Sequence, residues 1–148
     1  MPSTYLSLHY HLVFGTKNRL PMIDSAWKSR LHEYLGGTIR GLGGFPEEVS
    51  GIADHVHLLA GLKATHCLAD VMRDLKKASS MWVHEALGLP DFAWQEGYAA
   101  FTVSATARES VRRYIVNQEG HHQVTTFREE VIQMLEKAGV AYDPKYLD

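Results

Sequence analysis

Cysteine is almost missing from this chain of 148 residues, in which Cys67 is the only one. This scarcity excludes a disulfide framework and any multi-cysteine zinc or iron–sulfur site. Long apolar runs are also missing, so the sequence predicts no segment that spans a bilayer. The start, Met1 to Thr4, lacks the charged and apolar regions of a signal peptide. We therefore expect a protein of a reducing compartment, most simply the cytoplasm, with no membrane partner.

An excess of one charge is lacking as well: 15 Lys and Arg stand against 17 Asp and Glu, and the net charge is −2. Such a small net charge produces only a weak overall electrostatic field, which gives no sign of a nucleic-acid partner. Any binding of nucleic acid must therefore rest on local basic faces. Histidine, in contrast, is plentiful, with nine residues. The chemistry of the chain is therefore sought first around its histidines.

The length suits one compact domain and is short for two. Hydrophobic residues at 45% and charged residues at 22% are ordinary values for a globular protein, which excludes a disordered tail or a fibrous repeat. Because no internal repeat or linker interrupts the chain, we predict a single domain over residues 1–148.

Hydrophobic alternation and periodicity predict the order of the first elements. The predicted strands are Tyr5–Phe14, Phe45–Ile52, His55–Leu62 and Phe92–Val103. One helix is predicted to begin near Asp24 or Ser25 and a second at Thr65. The order strand, helix, strand, strand, helix, strand indicates an α+β fold of the ferredoxin-like type, with both helices on one face of an antiparallel sheet. This core covers about residues 4–105.

Two further helices are predicted beyond that core. Thr106 with Glu109, and Thr126 with Glu129, have the spacing of capping boxes, in which a hydroxyl and a carboxylate satisfy the free amides at a helix start. Gly139 is expected to end the second helix. The helical extension covers about residues 106–140.

The most informative segment contains His55 and His57, which project from the same face of the third predicted strand. Two imidazoles side by side can ligate one divalent cation. Because the first and third strands are neighbours in a ferredoxin-like sheet, His9 and His11 can lie beside this pair. A His-x-His pair on a strand is also often a plain polar face, so the spacing by itself leaves both interpretations open.

A second informative segment is the helix that carries Tyr114 and Gln118, one turn apart on the same face. A tyrosine hydroxyl can attack phosphorus and form a covalent phosphotyrosine. The amide oxygen of Gln118 can complete a metal site begun by two histidines. The alternative is that Tyr114 borders an apolar stripe and leaves its hydroxyl in solvent.

Together, these segments resemble the single-tyrosine HUH transposases, the DNA transposases of the smallest bacterial and archaeal insertion sequences. HUH denotes histidine, hydrophobic residue, histidine, which His55-Val56-His57 matches. The resemblance extends over nearly the whole chain. Its other segments are Tyr10–Arg19, Leu75–Ser80, Phe92–Tyr98, Tyr114–His122 and Tyr142–Leu147.

The resemblance implies a mechanism. His55, His57 and Gln118 would bind a divalent metal, Mg²⁺ or Mn²⁺, and Tyr114 would attack DNA to give a 5′-phosphotyrosine and a free 3′ hydroxyl. The implied substrate is single-stranded DNA with hairpins at the ends of the element. Family members are dimers, so a homodimer with composite active sites is expected.

Basic faces are the candidate DNA contacts, because lysine and arginine neutralise phosphates. They are Lys17, Arg19, Arg73, Lys76, Lys77, Arg112 and Arg113. Each cluster can equally be a solvated helix face. His121 and His122 are expected to support the site or the fold rather than to ligate the metal. His32, His66 and His84 are expected at the surface.

Three other functions remain open at this stage. A domesticated HUH nickase that acts on dispersed palindromic repeats would use the same residues. A non-catalytic ferredoxin-like module would bind metal or nucleic acid without any covalent adduct. A zinc hydrolase built on His55 and His57 would release a free 5′ phosphate instead of retaining it on the protein.

Overall fold

A computed structural model of the chain describes residues 3–147, so residues 1–2 and 148 of the predicted domain lie outside the described part. The strands are β1 His9–Gly15, β2 Phe45–Ile52, β3 His55–Gly61 and β4 Ala99–Val103. The helices are α1 Lys28–Gly41, α2 Leu68–Ala86, α3 Arg108–Val116, α4 Gln118–His121 and α5 Phe127–Ala138. Short 3-10 turns occupy Lys17–Arg19, Ala105–Ala107 and Pro144–Tyr146.

The strands form one sheet in the order β2-β3-β1-β4, and every neighbouring pair is antiparallel. This order, with α1 and α2 as the connections, is that of the ferredoxin-like fold, so the predicted α+β class is confirmed. The central pair is β1 with β3, where Gly15 lies opposite His55 and Val13 lies opposite His57. The end of β1 therefore lies directly beside the histidine pair.

One face of the sheet packs against α1 and α2. Alternate residues of the central strands, Leu12, Phe14, Val56 and Leu58, are at most 1% exposed and face this layer. Full burial of such a side chain contributes about 1.5–3 kcal/mol, so this layer is the main source of folding free energy. The helical residues of this core include Leu31, Leu35, Ile39, Met72, Leu75 and Val83.

The other face of the sheet is covered by the C-terminal helices of the same chain. Leu59, Val103 and Ile115 form a smaller buried cluster there, against which Val111 and Tyr114 pack. Because helices cover both faces, β3 is buried from its first residue to Ala60. His55 and His57 point toward the C-terminal helices, so both are interior residues despite their polarity.

Several element starts differ from the prediction. β1 begins at His9 rather than Tyr5. Asp24 caps a turn, since its carboxylate accepts the Ala26 amide at 2.8 Å, and α1 begins only at Lys28. α2 begins at Leu68 instead of Thr65. Before β4, only a single bridge joins the predicted strand Phe92–Val103 to the sheet, between Trp94 and Thr16.

The two predicted capping boxes have different outcomes. Thr126 caps α5, because its Oγ1 accepts the amide of Glu129 at 3.2 Å. The prediction for Thr106 was wrong: it lies in a 3-10 turn, where its Oγ1 is 3.2 Å from the Ser104 hydroxyl. At the other end of α5, Gly139 adopts the left-handed conformation with φ 70°, as expected of a helix stop. No helix within residues 3–147 has the length and apolar character needed to cross a bilayer.

Candidate metal and tyrosine site

The four residues that the sequence singled out come together on the face of the sheet covered by α3–α5. His55 and His57 are fully buried, and their ring centroids are 5.0 Å apart. Gln118 begins α4 and places its Oε1 3.0 Å from His55 Nε2. The ring of Tyr114, from α3, lies edge-on to His57 with 5.9 Å between centroids.

Glu130 is a central member of the cluster that the sequence reading missed. Its side chain, on α5, is 1% exposed. Oε1 lies 3.0 Å from His57 Nε2 and 3.4 Å from His55 Nε2. Oε2 accepts hydrogen bonds from the Tyr114 hydroxyl and, at 3.2 Å, from the Gln118 amide. One carboxylate therefore links the histidine pair to the tyrosine.

His122 is a second unexpected member of the cluster, because the sequence analysis predicted no metal-ligand role for it. Its Nε2 lies 3.0 Å from both Gln118 Oε1 and Glu130 Oε1. Ligand atoms of His55, His57, His122 and Glu130 all lie within 4.8 Å of one another. Imidazole nitrogens and a carboxylate so closely grouped could hold a divalent cation.

The spacing of residues along the helices contains a signal for both Glu130 and His122. Glu130 follows Phe127 by one turn on the buried side of α5, where an acidic residue interrupts an apolar stripe. His122 follows Gln118 by four residues, which places the two side chains one above the other on a helix. These signals depend on knowing that α5 packs against the sheet.

Partners outside the cluster orient the histidine pair. His55 Nδ1 donates to Asp54 Oδ1 at 2.7 Å. His57 Nδ1 is hydrogen bonded to His11 Nε2 at 2.7 Å, so the expected proximity of His11 is confirmed. His9 lies farther along β1, with its Nδ1 3.0 Å from a carboxylate oxygen of Glu47.

The same pattern holds for the third imidazole. His122 Nδ1 donates to the carbonyl of Thr125 at 2.5 Å, which turns its Nε2 toward the cluster. A hydrogen bond at one ring nitrogen selects the tautomer and leaves the other nitrogen as the ligand atom.

Burial and hydrogen bonds shift the pKa values of the cluster residues in different directions. Burial lowers the pKa of His55, but the hydrogen bonds that its ring donates to Asp54, Glu130 and Gln118 outweigh this effect and raise that pKa to about 9. Burial lowers the pKa of His57 to about 4, despite the hydrogen bond to Glu130. Burial opposes ionisation of Glu130, yet bonds from His122, His55 and His57 hold its pKa far below the usual range. The cluster therefore pairs the His55 imidazolium with a carboxylate.

Tyr114 is half-buried, with its hydroxyl at the edge of the cluster. His121 Nε2 lies 3.5 Å from that hydroxyl. Burial and the hydrogen bond to the Glu130 carboxylate raise the pKa of Tyr114 above its usual value. Tyr114 is therefore a protonated phenol in this arrangement, and its proton points at Glu130.

None of the predicted DNA-contact residues is part of the cluster, and they differ in their own surroundings. The ammonium of Lys76 donates to the carbonyls of residues 95–97, at 2.9 Å for Glu96 and Gly97, so it holds that loop. Arg73 forms ion pairs with Asp70 and Asp74. These contacts favour a structural use of Lys76 inside the protein.

The other basic residues lie nearer the surface. Arg112 is paired with Glu109 at 2.7 Å. Lys17, Lys77 and Arg113 are exposed, and Arg19 is half-buried.

The turn that carries Lys17 and Arg19 adjoins the histidine pair. Thr16, at its start, donates its amide to the Asp54 carbonyl at 2.9 Å. Asn18 and Arg19 have φ values of 56° and 55°, in the left-handed region that residues other than glycine rarely adopt. The end of β1 thus places two basic side chains on the same edge of the sheet as His55.

The three histidines expected at the surface are all half-buried instead. His66 Nε2 lies 2.8 Å from the Leu42 carbonyl, and His84 Nε2 lies 2.6 Å from the Phe92 carbonyl. The Nε2 of His32 is enclosed on α1 without a hydrogen-bond partner among the described residues. Burial lowers the pKa of His32 to about 4, and the nearby charge of Lys28 lowers it further.

Solved structures similar to the chain agree with this fold. One is the crystal structure of a protein assigned as a transposase from Deinococcus radiodurans R1: identity is 28%, the TM-score is 0.65, and 80% of this chain and 95% of that chain are covered. Another is a REP-associated tyrosine transposase bound to a REP hairpin, with 15% identity and a TM-score of 0.61 over 82% of this chain and 73% of that chain. At 15% identity, the second similarity shows the fold alone.

The sequence itself carries the family assignment. No curated protein matches the chain. Residues 4–118, however, match the family described as IS200-like transposases, which is more than half of the chain. This match confirms the resemblance drawn from the histidine and tyrosine motifs: the chain belongs to the IS200-like transposase family.

Proposed function

We propose that the chain cleaves and rejoins single-stranded DNA at insertion-sequence ends through a covalent 5′-phosphotyrosine on Tyr114. The observation that carries this proposal is the connection between Tyr114 and His57: the Glu130 carboxylate accepts the tyrosine hydroxyl at one oxygen and lies 3.0 Å from the His57 ring nitrogen at the other. A phenol joined in this way to a candidate cation site suits nucleophilic attack on a phosphate.

The reaction exchanges one phosphodiester for another. The Tyr114 oxygen forms a bond to phosphorus, the bond from phosphorus to the 3′ oxygen breaks, and that oxygen takes a proton to become a free hydroxyl. The hydrogen bond to Glu130 orients the Tyr114 hydroxyl, and the proton that leaves is released to solvent, because the pKa of Glu130 is held far below the usual range. The phosphotyrosine retains the energy of the original bond, so a second 3′ hydroxyl can attack it without ATP.

The residues present fit the divalent metal, Mg²⁺ or Mn²⁺, that the resemblance implies. His55, His57 and Gln118 are fully buried and direct two ring nitrogens and an amide oxygen at the cluster. When bound there, such a cation supplies Lewis-acid stabilisation of the scissile phosphate. The hydrogen bond that His55 Nδ1 donates to Asp54 keeps that ring oriented for ligation.

The proposed substrate is single-stranded DNA with hairpins near the cleavage position. Lys17 and Arg19 would neutralise phosphates at the edge of the sheet beside His55, because the end of β1 brings them there. Arg73, Lys77, Arg112 and Arg113 remain candidate contacts on the helices. In this proposal, residues 1–148 act as one domain in the cytoplasm, with DNA as partner.

We also propose that the protein acts as a homodimer with composite active sites. Tyr114 and Gln118 both follow the 3-10 turn Ala105–Ala107, which joins their helices to β4. In the structure these helices pack on the sheet of their own chain. Exchange of this segment between two copies would rebuild the same contacts, so a composite site needs no new residues.

The test uses purified protein, MgCl₂ or MnCl₂, and end-labelled single-stranded oligonucleotides from the sequences that flank the coding region. A denaturing gel reports whether DNA becomes attached to protein. We expect an adduct with the wild type and with Tyr142→Phe, and none with Tyr114→Phe. Tyr142 is a matched control, because it donates its hydroxyl to Glu136 on the surface, away from the cluster.

Each result of this assay decides something. An adduct that persists in Tyr114→Phe, or cleavage that leaves a free 5′ phosphate, would overturn the proposed nucleophile. Binding of hairpin DNA on a native gel, without cleavage on the denaturing gel, would favour the non-catalytic module. If added oligonucleotides with dispersed palindromic repeats are cleaved and the flanking sequences are not, the function is that of the domesticated nickase.

A further inference from the structure

We propose that His122 and Glu130 join His55, His57 and Gln118 as ligands of a single divalent cation, and that this site binds Mn²⁺ in preference to Mg²⁺ without DNA. The inference concerns the same site as the proposed function and deepens it. It is nevertheless independent of strand transfer, because metal binding is measured on the protein by itself.

Three imidazoles direct the same ring atom to one point. His55, His57 and His122 are each hydrogen bonded at Nδ1 to a partner outside the cluster. Their Nε2 atoms all lie 3.0–3.4 Å from Glu130 Oε1. When Nδ1 donates a proton in such a hydrogen bond, Nε2 is the ring atom that can ligate a metal. In all three rings, Nε2 is the atom that faces the cluster.

Oxygen and nitrogen atoms of the cluster already have the spacing of a coordination shell. Gln118 Oε1 lies 3.0 Å from the Nε2 atoms of His55 and His122. Glu130 Oε1 has the same 3.0 Å separation from the Nε2 atoms of His57 and His122. Two ligands at about 2.1 Å from one ion, at right angles, are about 3.0 Å apart. Small side-chain adjustments would therefore suffice for binding.

Burial of the carboxylate supports the same conclusion. Glu130 is 1% exposed and Gln118 is fully buried, so neither group is hydrated. A carboxylate is almost never fully buried unless it is paired or coordinates a metal. The rings of His55, His57 and His122 contact Glu130 Oε1 at 3.0–3.4 Å, and a divalent cation held by the same nitrogens would bring two positive charges to this carboxylate.

The donor atoms decide which cation the site prefers. Mg²⁺ takes oxygen ligands and keeps several waters, whereas imidazole nitrogen suits transition metals. Three ring nitrogens from His55, His57 and His122, with two oxygens, therefore favour Mn²⁺ over Mg²⁺. The negative charge of Glu130 strengthens binding enough that no DNA phosphate is needed. Both added ligands lie beyond residues 4–118, which match the family.

The first measurement is calorimetric titration of MnCl₂ into the DNA-free, metal-stripped full chain. We expect Glu130→Gln to weaken Mn²⁺ binding at least tenfold, on the scale of about 10–100-fold seen for metal-site partners. Glu129→Gln is the matched control, because Glu129 is exposed on the same helix and glutamine also suits its capping position. MgCl₂ should bind at least about tenfold more weakly than MnCl₂.

The second measurement is pulsed electron paramagnetic resonance of the Mn²⁺ complex, which counts coupled imidazole nitrogens. Three are expected in the wild type and two in His122→Gln, so the proposal remains testable even if Glu130→Gln does not fold. Equal Mn²⁺ affinity in a folded Glu130→Gln variant, two nitrogens in the wild type, or tighter Mg²⁺ binding would each overturn it.

Failure of this inference and failure of the proposed function give different results. If Mn²⁺ binds as expected but no adduct forms on Tyr114, the metal site stands and strand transfer falls. If the adduct forms while Glu130→Gln binds Mn²⁺ like the wild type, strand transfer stands and the two added ligands are wrong.

Discussion

Phe127 lies flat against the imidazole of His55, with the ring centroids 4.1 Å apart and the planes 6° from parallel. This stacking joins the first residue of α5 to the first residue of β3. Since Phe127 is 4% exposed, it excludes water from one side of the histidine pair. It also fixes the start of the helix that delivers Glu130.

Phe127→Ala should therefore destabilise the protein. Truncation of a buried phenylalanine costs about 3–5 kcal/mol, and we expect about 3 kcal/mol in urea unfolding. Phe45→Ala is the control, because Phe45 is 65% exposed and should change the free energy of unfolding by less than about 1 kcal/mol. Equal effects of the two substitutions would contradict the packing role of Phe127.

Lys76 and Lys77 are neighbours in sequence with different surroundings, and we expect different phenotypes. Lys76→Met removes an ammonium that binds three carbonyls, so unfolding should become easier by about 1.5–3 kcal/mol. Lys77→Met should leave stability nearly unchanged and lower the slope of log affinity against log salt for single-stranded DNA by about 0.7. Urea unfolding and DNA titrations at several salt concentrations measure both. The reverse assignment would show that Lys76, not Lys77, contacts phosphate.

Asp54 tests how far the orientation of His55 matters for the metal. In the wild type, His55 Nδ1 lies 2.7 Å from the Asp54 carboxylate. Asp54→Asn keeps an oxygen that can accept this hydrogen bond but removes the negative charge. Mutation of a residue that orients a metal ligand lowers metal affinity by about 10–100-fold, so we expect Asp54→Asn to bind Mn²⁺ more weakly by about this factor. Calorimetry with MnCl₂ measures the affinity. Asp91→Asn, at an exposed position, should bind Mn²⁺ like the wild type. Unchanged affinity in Asp54→Asn would remove Asp54 from the site.

His32 predicts a pH dependence of stability outside the site. Its pKa is about 4 in the folded protein, against 6.5 for an ordinary histidine, because burial and Lys28 disfavour the charge. The unfolded chain therefore binds the proton first, so stability is retained above pH 6.5 and lost as the pH falls toward 4.

Comparison with His32→Gln isolates this effect. Between pH 7 and pH 4.5, the wild type should lose about 2 kcal/mol more stability than the variant, since one pKa unit corresponds to about 1.4 kcal/mol. Urea unfolding at the two pH values measures the difference. Parallel losses in both proteins would mean that His32 is hydrated in the folded state.

The fold was largely predictable because hydrophobic alternation and periodicity depend on local geometry. β2 has its predicted bounds, Phe45–Ile52, and the strand order follows from the sequence of elements. Helix starts were less predictable, because Asp24 and Thr65 offer caps to turns as readily as to helices. Tertiary contacts decide between the two, and these are not visible in a local pattern.

The site was predictable only where a motif carries chemistry in its spacing. Motif spacing singled out His55, His57, Tyr114 and Gln118 as candidates, and the structure brings all four together. Glu130 could not be identified, because its partners lie up to 73 residues away in sequence. Its role depends on how α5 docks on the sheet, a long-range event that no short window of sequence reports.

The distance along the chain between the cluster members has a mechanical consequence. The contact from His55 to Gln118 spans 63 residues, and that from His57 to Glu130 spans 73. A cation held by these groups would act as a reversible cross-link, and closing loops of this size lowers the entropy of the unfolded chain, as a disulfide does. Chelation would then release α3–α5 to amide exchange and to proteases before the βαββαβ core opens. Loss of the ion and loosening of the segment that carries Tyr114 would be a single event.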